Sequence, residues 1–335
     1  MEQERRSIRI GMCVLACALL LRFAGGAWDM AVELLTDPRV ASFLVYLETG
    51  RLVRLDAPQP ILPTTEPDQT QAPTEPVPMQ TEPEIQPVFF VSDEATLVKT
   101  SNFTNYDPDL GALLTKPLSW DLRSGGPAVL ILRTHATESY TGTPGFRTED
   151  PNYNMLRVGQ EIARVLEENG IGVIHDTTLH DKPSYNGSYN NARRTIEARL
   201  EEYPSIRMVL DVHRDALELD DNTQLSTHAL VDGEESSQLM LVMGTNAGGL
   251  YHPNWQDNLA VGLRLQVLLE REYPGICRPM HLRTERFNQD LSAAGMIVEV
   301  GASGDSLEKA LVAARAFARS IVALSDGSAT ADSTS

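Results

Sequence analysis

Two hydrophobic periodicities alternate along the chain from about residue 88 to residue 324. Short apolar runs indicate buried strands at Ala128–Leu132, from Gly172 onward, and at Ile206–Val212, Gln238–Met243 and Met296–Val300. Longer segments with helical spacing indicate helices at Asn154–Asn169, Ser188–Tyr203, Asn254–Tyr273 and Leu307–Leu324. Because strands and helices alternate, the sequence predicts a three-layer α/β domain with a largely parallel central sheet.

The N-terminal segment has a different pattern. Three arginines within the first nine residues precede an uncharged run at Ile10–Leu21, which is shorter than the roughly 20 residues of a membrane span. Counting on through Arg22 gives sufficient length, so the pattern predicts a signal anchor over residues 1–28, with cleavage after the small residues 24–27 as the open alternative. The basic flank predicts that the rest of the chain lies outside the cytoplasm.

Residues 29–87 connect this predicted anchor to the α/β domain. Asp37-Pro38 followed by spaced apolar residues predicts a membrane-proximal helical segment within residues 29–56. Residues 57–87 are rich in Pro, Thr, Gln and Glu and predict an extended linker that reaches on the order of 90 Å. The globular domain is then predicted to span residues 88–325, and residues 326–335 to form a disordered tail.

Composition excludes two classes of protein. The 335 residues include 28 Lys and Arg against 46 Asp and Glu, which gives a formal net charge of −18. A chain this acidic has no excess of cations for phosphates, so nucleic-acid binding through a basic face is excluded. Three cysteines are too few for a disulfide framework.

Candidate chemistry lies where three predicted strands end. His135 and Glu138 follow the first strand, and His213 follows Ile206–Val212. Two histidines and a glutamate are the ligand set of a catalytic zinc ion. Glu299, between two valines on the last strand, is a carboxylate left over for a general base.

Each of these residues alone is weak evidence, because a single histidine at a strand end is more often structural. Their joint position at the carboxyl edge of a sheet, where α/β proteins bind ligands, favours a zinc hydrolase. Asp211 is a rival ligand to His213, or instead an acceptor that orients its imidazole. Glu149 is a rival to Glu138. The His-Glu-x-x-His motif of one-helix zinc proteases is absent from the sequence.

Several segments carry a family resemblance. They are Thr134–Tyr140, Leu210–Asp215, Asn254-Trp255, Tyr273–Gly275, Phe287–Ser292 and Ile297–Gly301. In this order and spacing, over about Val129–Ala323, the chain resembles the stage II sporulation protein P family of zinc-dependent N-acetylmuramoyl-L-alanine amidases. The resemblance implies a fold related to zinc carboxypeptidases, whose ligand pattern is His-x-x-Glu and a distant His. One departure is Arg133, where family members often have a histidine.

The resemblance also implies a function. The substrate is peptidoglycan, and the bond cut is the amide between N-acetylmuramic acid and L-alanine, with peptide cross-links as a further target, during septal wall thinning and engulfment in sporulation. Implied partners are stage II sporulation proteins D and M. The implied location is the mother-cell membrane at the septum, with one membrane pass and an extracytoplasmic catalytic domain.

By this interpretation His135, Glu138 and His213 hold Zn²⁺ and Glu299 is the catalytic base. Arg214 is a candidate for binding a substrate carboxylate, with a surface ion pair as the alternative. Asn288 and Gln289 are candidates for hydrogen bonds to the peptide, with a turn-forming role for Asn288 as the alternative. Two rival functions stay open: a carboxypeptidase-type zinc peptidase, and a wall-binding scaffold without catalysis.

Overall fold

The computed structural model describes residues 90–118, 120–123, 125–219 and 223–328. The predicted anchor, the membrane-proximal segment and the linker lie outside the described residues, as do residues 329–335 of the predicted tail. None of the helices in the described part of the chain has the length and apolar character to cross a membrane.

A seven-stranded sheet forms the centre of the described domain. The strands of the chain are β1 (Thr100–Asn102), β2 (Val129–Leu132), β3 (Val173–His175), β4 (Met208–Asp215), β5 (Ala229–Val231), β6 (Glu234–Ser236), β7 (Leu239–Gly244), β8 (Met280–Arg283) and β9 (Gly295–Ala302). Their order in the sheet is β1-β8-β7-β9-β4-β2-β3, and β5 and β6 form a separate hairpin. All neighbours in the sheet are parallel except β7 and β9, so the predicted largely parallel sheet is confirmed.

Helices cover both faces of this sheet. They are α1 (Leu110–Thr115), α2 (Met155–Glu168), α3 (Ser188–Glu202), α4 (Trp255–Glu272) and α5 (Leu307–Ser328). Helices α1, α2, α4 and α5 bury their apolar residues in one large core with alternate residues of the strands. Helix α3 packs through Ala192 and Ile196 on the opposite face, against Leu130, Leu132 and Val209. This arrangement gives the three layers that the sequence predicts.

The predicted elements form for local reasons that the sequence contains. Strand β2 is buried on both faces because helices cover both, which explains its continuous apolar run. Helix α2 begins at Asn154, whose side chain accepts a hydrogen bond from Leu156 N, and ends before Gly170 with φ of 76°. The short elements α1, β1, β8 and the β5–β6 hairpin were not predicted.

Strand β4 is longer than predicted. It continues past Val212 to Asp215, because β9 pairs with it as far as Ala302 across a register shift between His213 and Asp215. His213 therefore lies within the strand and not after it. A strand position holds its Cα more firmly than a loop position does.

The end of β9 is fixed by a glycine. Gly301 has φ of 72°, and a Cβ atom there would lie 2.6 Å from Asp305 Oδ2 and 2.8 Å from Ser237 Cβ. Asp305 accepts hydrogen bonds from Ala302 N and from the backbone and hydroxyl of Thr227. These contacts fix the backbone of Gly301 and Ala302, which follow Glu299 at the end of β9.

Candidate active site

Four candidate side chains lie at one edge of the sheet. His135 and Glu138 belong to the turn that follows β2, His213 lies on β4 and Glu299 on β9. Strands β2, β4 and β9 are parallel neighbours, with Leu132 opposite Asp211 and His213 opposite Glu299. Neighbouring strands are about 4.8 Å apart, so this register brings the four residues to the same part of the sheet edge.

His135 is enclosed by other rings. Tyr185 stacks on it with ring centroids 4.2 Å apart, and the ring of His213 is edge-on at 5.3 Å. Tyr189 lies edge-on at 5.7 Å. Burial, together with the nearby His213, lowers the pKa of His135 to about 4. The imidazole is therefore neutral at pH 7 and keeps a lone pair for a ligand.

Carboxylates lie on both sides of the His213 ring. Asp211 Oδ1 is 2.9 Å from Nε2, and Glu138 Oε2 is 3.5 Å from Nδ1. Asp211 is itself fixed, because it accepts hydrogen bonds from the backbone N–H and the hydroxyl of Thr134 at 2.7 and 2.5 Å. Burial alone would lower the pKa of His213, but Asp211 and Glu138 raise it well above its ordinary value. This geometry favours Asp211 as the group that orients the imidazole.

Glu299 lies between β4 and β7. His213 is its partner on the β4 side and Met240 on the β7 side. Burial raises the pKa of the Glu299 carboxyl to about 8. A carboxylate with a pKa near neutral is suited to accept and return a proton.

The site fits a metal ion in residue type and burial. The buried atoms of the described residues that lack a hydrogen-bond partner include His135 Nδ1, Glu138 Oε2 and Glu299 Oε2 at this site. Buried polar atoms are nearly always satisfied, so a cluster of unsatisfied lone pairs indicates a missing positive partner. In the described part of the chain, no group of three or more His, Cys, Asp or Glu side chains has an arrangement that could hold a metal ion as it stands. The donor set nevertheless matches the two histidines and one glutamate of catalytic zinc.

Arg214 lies next to this cluster but makes structural contacts. Its Nε donates to Ser139 O at 2.9 Å and its Nη2 to Phe146 O at 3.0 Å, and the residue is buried. These bonds hold the loop that carries Glu138 against β4. The predicted binding of a substrate carboxylate by Arg214 stays a prediction.

We expect Arg214→Met to lower the free energy of unfolding by about 2–4 kcal/mol, because the buried Ser139 carbonyl and the part-buried Phe146 carbonyl lose a charged donor. Urea unfolding measures this change. Arg207→Met is the matched control, since Arg207 also donates to two carbonyls, Pro204 O and Ile206 O, but is exposed. A change below about 0.5 kcal/mol in Arg214→Met, the level of an ordinary surface substitution, would contradict the structural role.

Asn288 and Gln289 also serve the fold. Asn288 has φ of 62° and donates to Tyr189 O at 2.8 Å, which agrees with the turn-forming alternative. The Gln289 amide accepts from Gly244 N at 2.8 Å and donates to Val242 O at 2.9 Å. Both ends of the Gln289 amide are thus bonded to β7. Hydrogen bonding of either residue to a peptide stays a prediction.

Arg133 lies away from the cluster. It is fully buried, its Nη1 is 2.7 Å from His175 Nε2, and its Nη2 donates to the Asp176 carbonyl. Burial lowers its pKa to about 10. The departure from the family pattern at this position therefore concerns the packing of β2 against β3.

Three residues of the site were missed from the sequence: Tyr185, Tyr189 and Arg147. The tyrosines are four positions apart: Tyr185 begins the 3₁₀ helix Tyr185–Gly187, which leads directly into α3, and Tyr189 lies in the first turn of α3. Arg147 Nη2 lies 3.4 Å from Glu138 Oε1, and its guanidinium lies 4.6 Å from the centre of the Tyr185 ring. The tyrosine spacing is a weak signal, and the sequence holds none for Arg147.

Comparison with known families gives one match that covers most of the chain. The family described as stage II sporulation protein P matches residues 63–322. Stage II sporulation protein P of Bacillus subtilis (strain 168) is 27% identical over an aligned length of 208 residues, and the alignment covers 57% of this chain and 49% of that protein. The chain thus spans about half the length of this curated relative.

Solved structures of amidases are similar at low sequence identity. N-acetylmuramoyl-L-alanine amidase AmiC2 of Nostoc punctiforme is 16% identical, with a TM-score of 0.38 over 59% of this chain and 96% of that chain. An N-acetylmuramoyl-L-alanine amidase from Clostridium difficile 630 is 15% identical, with a TM-score of 0.39 over 63% of this chain and 100% of that chain.

Proposed function

Because the chain belongs to the stage II sporulation protein P family, we propose that it is a zinc-dependent peptidoglycan hydrolase of sporulation. The bond cut is the amide between N-acetylmuramic acid and L-alanine, and peptide cross-links are a second target. The observation that carries this proposal is the convergence of His135, Glu138, His213 and Glu299, from three parallel strands, with unsatisfied buried lone pairs among them.

His135, Glu138 and His213 would hold the zinc ion. When bound, zinc supplies a Lewis acid that polarises the scissile carbonyl and lowers the pKa of water. The neutral His135 and the carboxylate of Glu138 suit this role, since zinc ligands must be deprotonated. His213, whose pKa is raised by Asp211 and Glu138, must give up a proton when zinc binds. Asp211, fixed by Thr134, holds the imidazole of His213 in one orientation.

Glu299 is the general base and then the general acid of the proposed reaction. Its carboxylate takes a proton from the attacking water and then donates it to the leaving amine of the cut amide. The position of Glu299 on a paired strand between β4 and β7 fixes the carboxylate relative to His213. Tyr185 covers one face of His135 and limits access of bulk water to that ring.

Product analysis tests this function. The purified full chain, incubated with peptidoglycan, is expected to release peptides with a free N-terminal L-alanine, to contain about one zinc ion per molecule, and to lose activity on chelation. Release of single amino acids from free peptides, without stems from glycan, would indicate a carboxypeptidase-type peptidase. Wall binding without cleavage and without zinc would indicate a scaffold. Either result would overturn the proposal.

Family membership also supports a cellular setting. We propose that the domain acts outside the cytoplasm, held at the septal membrane of the mother cell by the N-terminal segment, in septal wall thinning and engulfment. Stage II sporulation proteins D and M are the proposed partners. Glycan stripped of its peptides would be the substrate for a partner that cuts glycan.

A further inference from the structure

A cavity adjoins the candidate active site. Its volume is about 390 Å³, and it is lined by Thr137, Arg147, Thr148, Glu149, Asp181, Lys182, Pro183 and Tyr185. Two of these residues also contact the predicted zinc ligands. Tyr185 stacks on His135, and Arg147 lies 3.4 Å from Glu138. A ligand in this cavity would therefore lie next to two of the predicted zinc ligands.

Arg147 and Lys182 are cations that line this cavity, and Arg147 also contacts the predicted zinc ligand Glu138. The Arg147 guanidinium lies between Glu138 Oε1 at 3.4 Å and Asp181 Oδ2 at 3.3 Å. Ion pairs with good geometry are shorter, about 2.7–2.9 Å, so neither carboxylate forms a strong ion pair with the guanidinium. The Arg147 side chain is 42% exposed and rests on the Tyr185 ring. It can therefore bind another carboxylate that enters the cavity.

Asp181 provides an acceptor in the same cavity. Its side chain is only 1% exposed, and Oδ2 accepts from the backbone N–H and the hydroxyl of Thr137 at 3.2 and 2.6 Å. Oδ1 is buried and has no hydrogen-bond partner among the described residues. A buried carboxylate oxygen in this state can accept a hydrogen bond from a ligand or from water.

The remaining charges lie at the rim. Lys182 Nζ is 2.7 Å from Glu149 Oε1, and both side chains are exposed. Exposed ion pairs contribute little stability, so this pair can separate when a charged ligand enters. The cavity thus offers cations for a carboxylate and a buried acceptor for an N–H group.

We propose that this cavity binds the peptide part of the substrate, next to the scissile amide. A peptide carboxylate pairs with Arg147, and a peptide N–H donates to Asp181 Oδ1. The volume is at the small end of ligand pockets, roughly 300–1,000 Å³, which suits a short peptide segment. A neutral sugar would supply no anion to Arg147. The inference rests on the proposed function and adds a preference for acidic peptides.

Equilibrium binding tests the subsite without turnover. The probes are two muramoyl dipeptides that differ in one group, muramoyl-L-alanyl-D-glutamate γ-methylamide and the same compound with its α-carboxylate converted to a carboxamide, so that only the first carries a glutamate carboxylate. They are titrated by calorimetry, at up to millimolar concentration, into the zinc-loaded full chain carrying Glu299→Gln. The carboxylate form is expected to bind about tenfold more tightly, as one charge-assisted pair allows.

Adding Arg147→Gln to the Glu299→Gln chain is expected to reduce the ratio of the two dipeptide affinities to less than about twofold. Arg147→Lys is expected to retain part of the preference, because the charge is kept. Arg164→Gln is the matched control, since the Arg164 side chain is similarly exposed, at 46%, and pairs with Glu161 and Glu168 on α2. Its ratio is expected to stay near tenfold. A merely structural role of Arg147 would change both affinities alike and leave the ratio intact.

Three outcomes would overturn the subsite: equal binding of the two dipeptides, a preference that survives Arg147→Gln, and no binding of either dipeptide. The proposed function is read separately, from the release of peptides from whole wall by the unaltered chain. Wall cleavage without a carboxylate preference refutes the subsite alone. A carboxylate preference without wall cleavage refutes the hydrolase and leaves a peptide-binding site.

Discussion

Glu299→Gln is expected to lower kcat for the release of peptides from peptidoglycan by about 10³-fold, within the range that general-base catalysis contributes. The amide of glutamine has nearly the shape of the carboxylate but cannot take a proton from water. Glu299 lies on β9, in register with His213, and its Oε2 is buried without a partner among the described residues. Zinc content is expected to be unchanged, because the predicted ligands are all retained.

The measurement combines the rate of appearance of N-terminal alanine with the zinc content of each purified variant. Glu161→Gln is the matched control, because Glu161 is also a buried carboxylate but pairs with arginines on α2 and α5, away from the site. This control is expected to lose stability and keep kcat. Near-full activity of Glu299→Gln with zinc bound would refute the base assignment. Loss of zinc would make Glu299 a ligand.

Much of the architecture follows from patterns within single segments. The apolar run Val129–Leu132 and the Asn154 and Gly170 boundaries of α2 each contain their own signal, so these elements lie where the sequence predicts them. The antiparallel pairing of β7 with β9 has no such signal, because it depends on which strands become neighbours after folding. The same holds for β1, which has three residues and pairs only with β8 among the described strands.

The candidate site likewise contains residues that a local sequence pattern indicates and contacts that no local pattern indicates. His135, His213 and Glu299 could be identified because each follows or interrupts an apolar strand, and parallel strands end at one edge. The contacts of Gln289 could not be predicted, since its amide reaches back to β7, more than forty residues earlier in the chain. Arg147 was missed because its two carboxylate neighbours lie on separate loops.

Because the net charge of the chain is −18, attraction for an acidic substrate depends on local contacts such as those of Arg147. A strongly acidic chain is repelled at long range by anionic wall polymers. Within about one Debye length, roughly 8 Å at physiological salt, individual side chains dominate over the net field. Arg147 beside the predicted zinc ligands is such a side chain, so we expect the attraction for an acidic peptide to act only once the substrate has reached the cavity.

Removal of a predicted zinc ligand is expected to have the other large effect. His213→Ala should weaken zinc binding by about 10³-fold, because one of three protein ligands carries roughly a third of a binding free energy of about 10–16 kcal/mol. Activity at ordinary zinc concentrations should then fall to background. Zinc affinity is measured by competition with a chromophoric chelator, and folding by far-UV circular dichroism.

Two further variants are compared with His213→Ala for their loss of zinc affinity. Asp211→Asn keeps every predicted ligand and removes only the charged neighbour of His213 Nε2, so zinc affinity should fall by about 10–100-fold. His281→Ala, on β8 and edge-on to Phe103, should leave affinity unchanged. If Asp211→Asn loses zinc as completely as His213→Ala does, Asp211 is itself a ligand, and the carboxylate that orients the imidazole must be Glu138, 3.5 Å from Nδ1.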